Sequence, residues 1–381
     1  MAEMTSRERL LTAIRHEEAD RVPVSPRIAY WLMEYYGDGS FETYIRSTQE
    51  FGYDPFYCTS EPTPNYLGSY SERYDLPDVK VEQTKEPDGR CILVRRTFHT
   101  PAGPLSDVTR VPPPRSEYGM GPNPIKLEHL VKESSDLERL RFLLPRLRNN
   151  FDAFHKYEKA LGENGLVELN IAGPLEHQAG SARGQENLMM DYYDDRPFFN
   201  AMLDLFHKRG LEQIKGALEA GVKIIFGNWY WTSLSAGWSP KQFKEVFLPK
   251  IKDHADLVHS CGGIYHYYDD GKCMKILPWL KEAGVDVFST CTPPPVGDFD
   301  LAEAKRTVGD RICLKGYVDL LYVVKMGTPE LIDRTVREAM EVAKPGGGFI
   351  LGSSDSFRDG TPVENIRAYF DAGRKYGQYR K

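Results

Sequence analysis

His259-Ser260-Cys261-Gly262-Gly263-Ile264-Tyr265-His266-Tyr267-Tyr268-Asp269-Asp270-Gly271 is the stretch on which the fold turns. Two readings meet at its start. In one, His259 and Cys261 are metal ligands, because an imidazole nitrogen and a thiolate two residues apart can face one ion such as zinc. In the other, Ser260 to Gly263 ends a helix. The preceding residues favour the helix, since Ile251, Ala255 and Val258 share one side and Gly262-Gly263 is a common helix terminator. Ile264 to Tyr268 then reads as a short strand stopped by Asp269-Asp270-Gly271. Alternation puts Ile264, His266, Tyr268 and Asp270 on one face and Tyr265, Tyr267 and Asp269 on the other. One His and one Cys are too few ligands to specify a site, so metal binding by His259 and Cys261 stands as the alternative.

Working outward, candidate strands recur at Leu166 to Ile171, Val222 to Phe226, Val285 to Ser289, Ile312 to Gly316 and Gly348 to Leu351, with helical patterns between nearly all of them. Helix starts are marked by Thr5-Ser-Arg-Glu8, Ser239-Pro240-Lys-Gln242, Thr328-Pro329 and Thr361-Pro362-Val-Glu364, in which a hydroxyl precedes the first turn. Arg21-Val-Pro-Val-Ser25 reads as a first strand, with Pro23 implying an edge or a strand end. Strand and helix alternating over more than 200 residues predict a parallel sheet, and this many units favour a closed barrel. The expectation is an α/β chain spanning residues 1–381 as one closed barrel of alternating strands and helices. It is interrupted at about 79–111 by an antiparallel β-hairpin insertion, signalled by alternating runs around Glu86-Pro-Asp-Gly-Arg90 and followed by a Pro-rich link from Pro112 to Pro124.

The bulk composition excludes several classes. A hydrophobic share of 41% and a charged share of 27% suit a globular protein, and no apolar run approaches the roughly 20 residues of a membrane span. The start has no signal-peptide form and the six cysteines have no paired spacing, so a cytoplasmic location with reduced thiols is expected. A net charge of −6, spread along the chain, argues against a nucleic-acid surface.

Barrels of this kind carry functional groups at the C-terminal ends of their strands. Reading those ends gathers Arg27 and Tyr30, then Glu176 and His177, then Asn228, Trp229 and Tyr230. His266, Tyr268 and Asp270 follow, then Thr290 and Cys291, Tyr317 and Asp319, and finally Ser353, Ser354 and Asp355. The set is aromatic and acidic, with carboxylates that burial can push toward protonation. No nucleophile triad or nucleotide fingerprint is present; Gly346-Gly-Gly348 follows a helix and precedes a strand, the wrong order for phosphate binding.

The chain also resembles the uroporphyrinogen decarboxylase superfamily along nearly its whole length. The likeness lies in Thr5 to Arg15 with Arg21-Val-Pro-Val24, Gly173-Pro174, Ser239-Pro240 with Phe243 and Pro249, Gly284-Val-Asp286, Gly316-Tyr-Val-Asp319, Gly327-Thr-Pro329 and Gly360-Thr-Pro-Val-Glu-Asn365. The resemblance implies a single distorted (β/α)8 TIM barrel over residues 1–381, and either decarboxylation or corrinoid-linked methyl transfer. True decarboxylases grip an acidic porphyrinogen with an Arg-Gln-Ala-Gly-Arg-Tyr segment, whereas this chain reads Pro26-Arg27-Ile-Ala-Tyr30-Trp31 and keeps one arginine. Family methyltransferases that act on thiols carry a His-x-Cys-Gly motif and a later Cys, which fall here on Tyr268-Asp269-Asp270-Gly271 and near Asp355. Both departures replace soft ligands with oxygen groups, which leaves zinc disfavoured.

The resemblance therefore implies a cobalamin-dependent demethylase, passing a methyl group from a small methylated substrate, an aryl methyl ether foremost, to a corrinoid held by a partner protein. Asp270, Tyr268, His266 and Asp355 are the expected catalytic groups, with Asn228, Trp229, Tyr230, Tyr317, Glu176 and Arg27 around the substrate. A zinc-dependent methylcorrinoid:thiol methyltransferase, a decarboxylase and an inactive ligand-binding barrel are the alternatives, and a homodimer is compatible with the sequence.

Overall fold

The computed structural model describes residues 3–68, 70–114, 119 and 121–379. The chain divides into two compact units, one of Met1–Ser60, Phe151–Ile171 and Ala217–Lys381, the other of Glu61–Asn150 and Ala172–Gly216. Strand β1 (Phe56–Ser60) belongs to the first. In the second, β2 (Lys80–Asp88), β3 (Cys91–Thr100), β4 (Gly103–Val111) and β5 (Ile125–Glu128) form an antiparallel sheet in the order β2-β3-β4-β5. The chain then supplies β6 (Leu166–Ala172), β7 (Ile224–Asn228), β8 (Ile264–Tyr268), β9 (Val287–Thr290), β10 (Cys313–Val318) and β11 (Phe349–Ser353), which join β1 in a seven-stranded sheet ordered β1-β6-β7-β8-β9-β10-β11.

Each neighbouring pair with a described register is parallel, as expected where helices return the chain between strands. The expected closed ring of eight strands is not formed; the described ladder has seven strands and two edges. Arg21 to Ser25, expected as the first strand, is reduced to a parallel bridge between Val24 and Leu351 and an antiparallel one between Arg21 and Gln378. Pro23 and Pro26 have no N–H to give, so a ladder cannot extend through this segment. Ser25 donates to the Leu351 carbonyl, and the Asp54 N–H donates to the Val24 carbonyl. Asp54, fully buried, accepts from the Val24 N–H and binds both Arg9 and Arg21. A charge buried this way is tolerated because it is paired and hydrogen-bonded.

The first helix, Ser6–Ile14, begins with a full capping box between Thr5 and Glu8. Its Leu10, Ala13 and Ile14 pack against Phe56, Leu166, Ile224, Val287, Cys313 and Ile350, apolar residues at the starts of six strands. This cluster seals the N-terminal ends of the sheet with hydrocarbon, leaving polar side chains to collect at the opposite ends. Ser239 forms the expected capping box with Gln242, and Thr328 accepts from the Leu331 N–H. Thr361 does not cap the last helix; its hydroxyl donates to the Arg358 carbonyl.

The second unit is held by Arg96 on β3 and Asp107 on β4, register partners whose bidentate pair is fully enclosed. Lys126 on β5 also binds Asp107, which ties the three strands together.

Candidate functional site

In the first unit, β8 is followed by Asp269 and Asp270, and β11 by Ser354 and Asp355. The parallel ladder brings these two ends to the same edge of the sheet. The Asp355 carboxylate is surrounded by donors: Arg27 Nη1 lies 3.2 Å and the Tyr268 hydroxyl 3.2 Å from Oδ1, and Arg358 Nη2 lies 2.9 Å from Oδ2. The Arg27 guanidinium stacks over the Tyr268 ring at 4.5 Å and faces Phe226 at 6.0 Å, while Arg358 sits over Tyr30 at 4.8 Å. These contacts combine ion pairing with cation–π attraction, for which a planar guanidinium is suited. Protein surrounds Arg27 on most sides, yet 40% of its side chain is open, because it stands in a recess.

Asp270 differs from Asp355. Among the described residues its carboxyl receives no side-chain hydrogen bond, and burial, reinforced by the Asp355 charge, pushes it up to about 6 against the pull of Arg27 and Arg358. Burial likewise raises the Tyr268 hydroxyl, so it stays a neutral donor toward Asp355. Two carboxyl groups thus face one site in unlike surroundings, the arrangement that separates an acid from a fixed anion. Neighbouring Asp269 is wholly buried and pushed well above its ordinary range, by burial first and by Asp270 next; it accepts from the Tyr267 hydroxyl at 3.1 Å.

Two cavities adjoin this cluster. The outer one, about 380 Å³, is walled by Asp270, Thr292, Asp319, Ser354, Asp355 and Arg358. The inner one, about 300 Å³, is walled by Arg27, Tyr30, Phe56, Glu168, Phe226 and Lys315 among others. The Arg27–Asp355 ion pair stands between them, Arg27 on the inner wall and Asp355 on the outer.

Several expected site residues lie elsewhere. His266 is enclosed in the sheet interior, with Nδ1 2.6 Å from Glu168 Oε2 and Nε2 2.8 Å from Ser289 Oγ. Burial lowers its pKa. The bonding fits a neutral ring that donates from Nδ1 to the carboxylate and accepts the Ser289 hydroxyl at Nε2. Trp229, expected at the substrate, is fully buried and its indole N–H donates to the Tyr265 hydroxyl at 2.8 Å, because the turn after β7 folds it into the core.

Tyr317 is half-buried against Phe299 and lines neither cavity. Tyr230 meets Tyr268 edge-on at 6.1 Å, and Asn228 ends β7. Asp319 caps the following turn through the Leu321 and Tyr322 N–H groups while lining the outer cavity. Glu176 and His177 belong to the other unit, where His177 Nε2 lies 3.6 Å from Glu176 Oε1.

His259 is the last residue of the helix Leu248–His259, and its Nε2 is 2.8 Å from Asp286 Oδ2. Cys261 is exposed in the turn that follows. His259 is engaged with Asp286, and one His with one Cys is too few ligands to specify a zinc site. Both oxygens of Asp355 already face guanidinium groups. Among the described residues no group of three His, Cys, Asp or Glu side chains is placed to hold a metal.

Reading strand ends alone missed Arg358, Glu168, Ser289 and Lys315. Glu168 and Lys315 were visible as single charges inside apolar strands, in Leu166-Val-Glu-Leu-Asn170 and Cys313-Leu-Lys-Gly316, a pattern that marks an inward-facing polar group.

Residues 117–376 match the uroporphyrinogen decarboxylase (URO-D) family. The chain belongs to that family. Within it, the chain is similar to two kinds of protein. It is 31% identical over 134 residues to a methylated-thiol–coenzyme M methyltransferase of Methanosarcina mazei, a match covering 35% of this chain and 33% of that protein. It is 23% identical over 383 residues to a uroporphyrinogen decarboxylase of Anaeromyxobacter dehalogenans, covering 97% and 99% of the two chains. A solved methyltransferase from Methanosarcina mazei superposes with a TM-score of 0.64 at 17% identity, over 98% of this chain and 99% of that one, a likeness of fold. Among the described residues no helix of this URO-D family member is long and apolar enough to cross a membrane.

Proposed function

We propose that this URO-D family chain is a methyltransferase that removes the methyl group of a small methyl ether, an aryl methyl ether foremost, for delivery to a reduced corrinoid carried by a partner protein. The observation that carries this reading is the pairing of Asp270, pushed up to about 6, with Asp355 locked between two arginines. These are the positions where the thiol-directed methyltransferases it resembles place soft ligands. Oxygen acids there suit a reaction whose difficulty is the leaving oxygen and not activation of a thiol.

A reduced corrinoid supplies a nucleophile strong enough to accept a methyl group. The chain's own task is to make the ether oxygen leave. Protonated Asp270 donates to that oxygen as the carbon–oxygen bond breaks, so that the product departs as a neutral phenol or alcohol and Asp270 is left ionised. Arg27 and Arg358 then stabilise the new carboxylate beside Asp355. Tyr268, held by Asp355 and by the Arg27 stack, fixes the position of this group. Exposed Val296 and Leu321, on the rim of the outer cavity, offer an apolar face for the corrinoid ring, and no residue of this chain is assigned to the cobalt.

The test mixes the protein with reduced cobalamin, or a corrinoid protein, and a panel of methyl ethers, methylated thiols and methylamines. The cobalt absorbance is followed and metal content is measured on the same sample. Ether-dependent methylation without stoichiometric zinc is the expected result. Transfer only with thiols and bound zinc, or with no donor of any class, refutes the proposal.

A further inference from the structure

The inner cavity holds a cation that the chemistry above does not use. Lys315 is the third residue of β10 and turns into the sheet interior, where only 5% of it is exposed. Among the described residues its ammonium makes no hydrogen bond and no ion pair at contact distance; the Phe56 ring lies 5.6 Å away, and the Glu168 charge acts on it from farther off. Glu168, on the same wall, accepts its hydrogen bond from His266 and not from the lysine, and its charge offsets the burial of Lys315 only in part. Burial lowers the lysine, as expected for an ammonium taken out of water without a counter-ion at hydrogen-bond distance. A buried ammonium without a contact partner is unfavourable in the empty fold, and side chains of this kind are retained where they meet a ligand.

The rest of the wall says what that ligand is. Arg27 adds a second cation, and Phe56, Phe226, Tyr30 and Tyr57 supply flat apolar faces. Asn170 Oδ1 and Ser356 Oγ, on residues of the same wall, are buried and have no hydrogen-bond partner among the described residues. A cavity of about 300 Å³ is at the small end of the range for ligand sites, enough for one substituted ring. We infer that the inner cavity binds an aromatic carboxylate, with the acid group on Lys315 and Arg27 and the ring between the phenylalanines. Within the methyl-transfer reading on which it builds, this names the substrate class as an aryl methyl ether that also carries an acid group.

Binding can be tested without any corrinoid. Benzoate and its neutral isostere benzamide are titrated into the intact wild-type protein by calorimetry, then into Lys315→Met and Lys315→Arg, with circular dichroism checking each fold. The expected result is saturable benzoate binding, at least tenfold weaker benzamide binding, loss of at least tenfold for benzoate in K315M and partial recovery in K315R. Should K315M fail to fold, the benzoate–benzamide contrast on the wild type decides alone. Equal binding of the two probes, no benzoate binding at millimolar concentration, or a folded K315M with unchanged affinity overturns the inference.

The two proposals fail separately. Benzoate binding that depends on Lys315, with no methyl ether consumed, keeps the acid site and refutes the demethylase. Transfer from methoxybenzene as fast as from 4-methoxybenzoate, with no competition by benzoate, keeps the demethylase and refutes the acid site.

Discussion

Asp270→Asn should make the protein more stable and less active, and both effects follow from one number. Asp270 is raised from the ordinary 3.8 to about 6, so its ionised form costs about 3 kcal/mol more in the fold than in the unfolded chain. A folded pKa above the unfolded one gives a contribution fully present below pH about 4 and lost as pH rises through about 6. Asparagine has the same shape and never ionises. The variant should therefore match the wild type near pH 4 and exceed it by about 1–3 kcal/mol at pH 8.

All five tryptophans, Trp31, Trp229, Trp231, Trp238 and Trp279, lie in the unit that contains Asp270, so their emission during urea unfolding reports that unit alone. Methyl transfer at pH 6 should fall by about 10² to 10⁴ in the same variant, the usual contribution of a general acid. In the wild type, the chemical step should decline about tenfold per unit above pH 6, where the protonated fraction shrinks. A variant less stable than wild type at pH 8, or a stability gap that does not change with pH, would contradict the reasoning whatever the activity.

The other predictions use the same pH–rate limb and the same unfolding signal. Asp355→Asn removes a like charge and leaves Arg27 and Arg358 nearer to Asp270 in effect, so the limb should move to lower pH; Arg27→Gln removes a cation that lowers Asp270, so it should move to higher pH. Single-turnover rates against pH check both, and a shift of the same sign in the two variants sinks the assignment. His266→Gln should unfold at lower urea, by about 1–3 kcal/mol, because Glu168 and Ser289 lose their buried partner, while the pH of the limb stays in place. Asp54→Ala should cost about 3–5 kcal/mol by leaving Arg9 and Arg21 without their shared carboxylate, and hydrogen exchange should speed at the Val24 and Ser25 amides first.

What could be read beforehand followed from periodicity. Ile264 to Tyr268 is a strand with the expected alternation, and five other parallel strands fall within a few residues of their predicted places, because apolar runs between helical repeats have few other uses. Strand β1 was not legible. Phe56-Tyr-Cys-Thr-Ser60 follows Asp54-Pro55, has no apolar run and becomes a strand only because β6 accepts it in register. Arg21 to Ser25 showed the reverse error, a β-like sequence that two prolines limit to a bridge. In the site, placing residues by the strand end they follow located Asp270 and Asp355 but misplaced Trp229, since a turn of one residue more or less decides whether a ring faces a cavity or the core. Lys315 and Glu168 were overlooked for a different reason: they lie mid-strand, where a sheet curled around its own interior can face a cavity well below its rim.

On the proposed reading, the unlike settings of the two aspartates let the oxygen groups at positions 268, 270 and 355 serve as an acid site. A metal would need both carboxylates ionised and pointed at one ion. Asp355 instead has its two oxygens directed at Arg27, Tyr268 and Arg358, so its charge is already compensated and a metal there would have to break both guanidinium pairs. That fixed anion, together with burial, is what raises Asp270. Removing Arg27 or Arg358 would therefore raise Asp270 further, and a zinc site here would call for changing Tyr268, Asp270 and Asp355 to soft ligands and replacing both arginines at the same time.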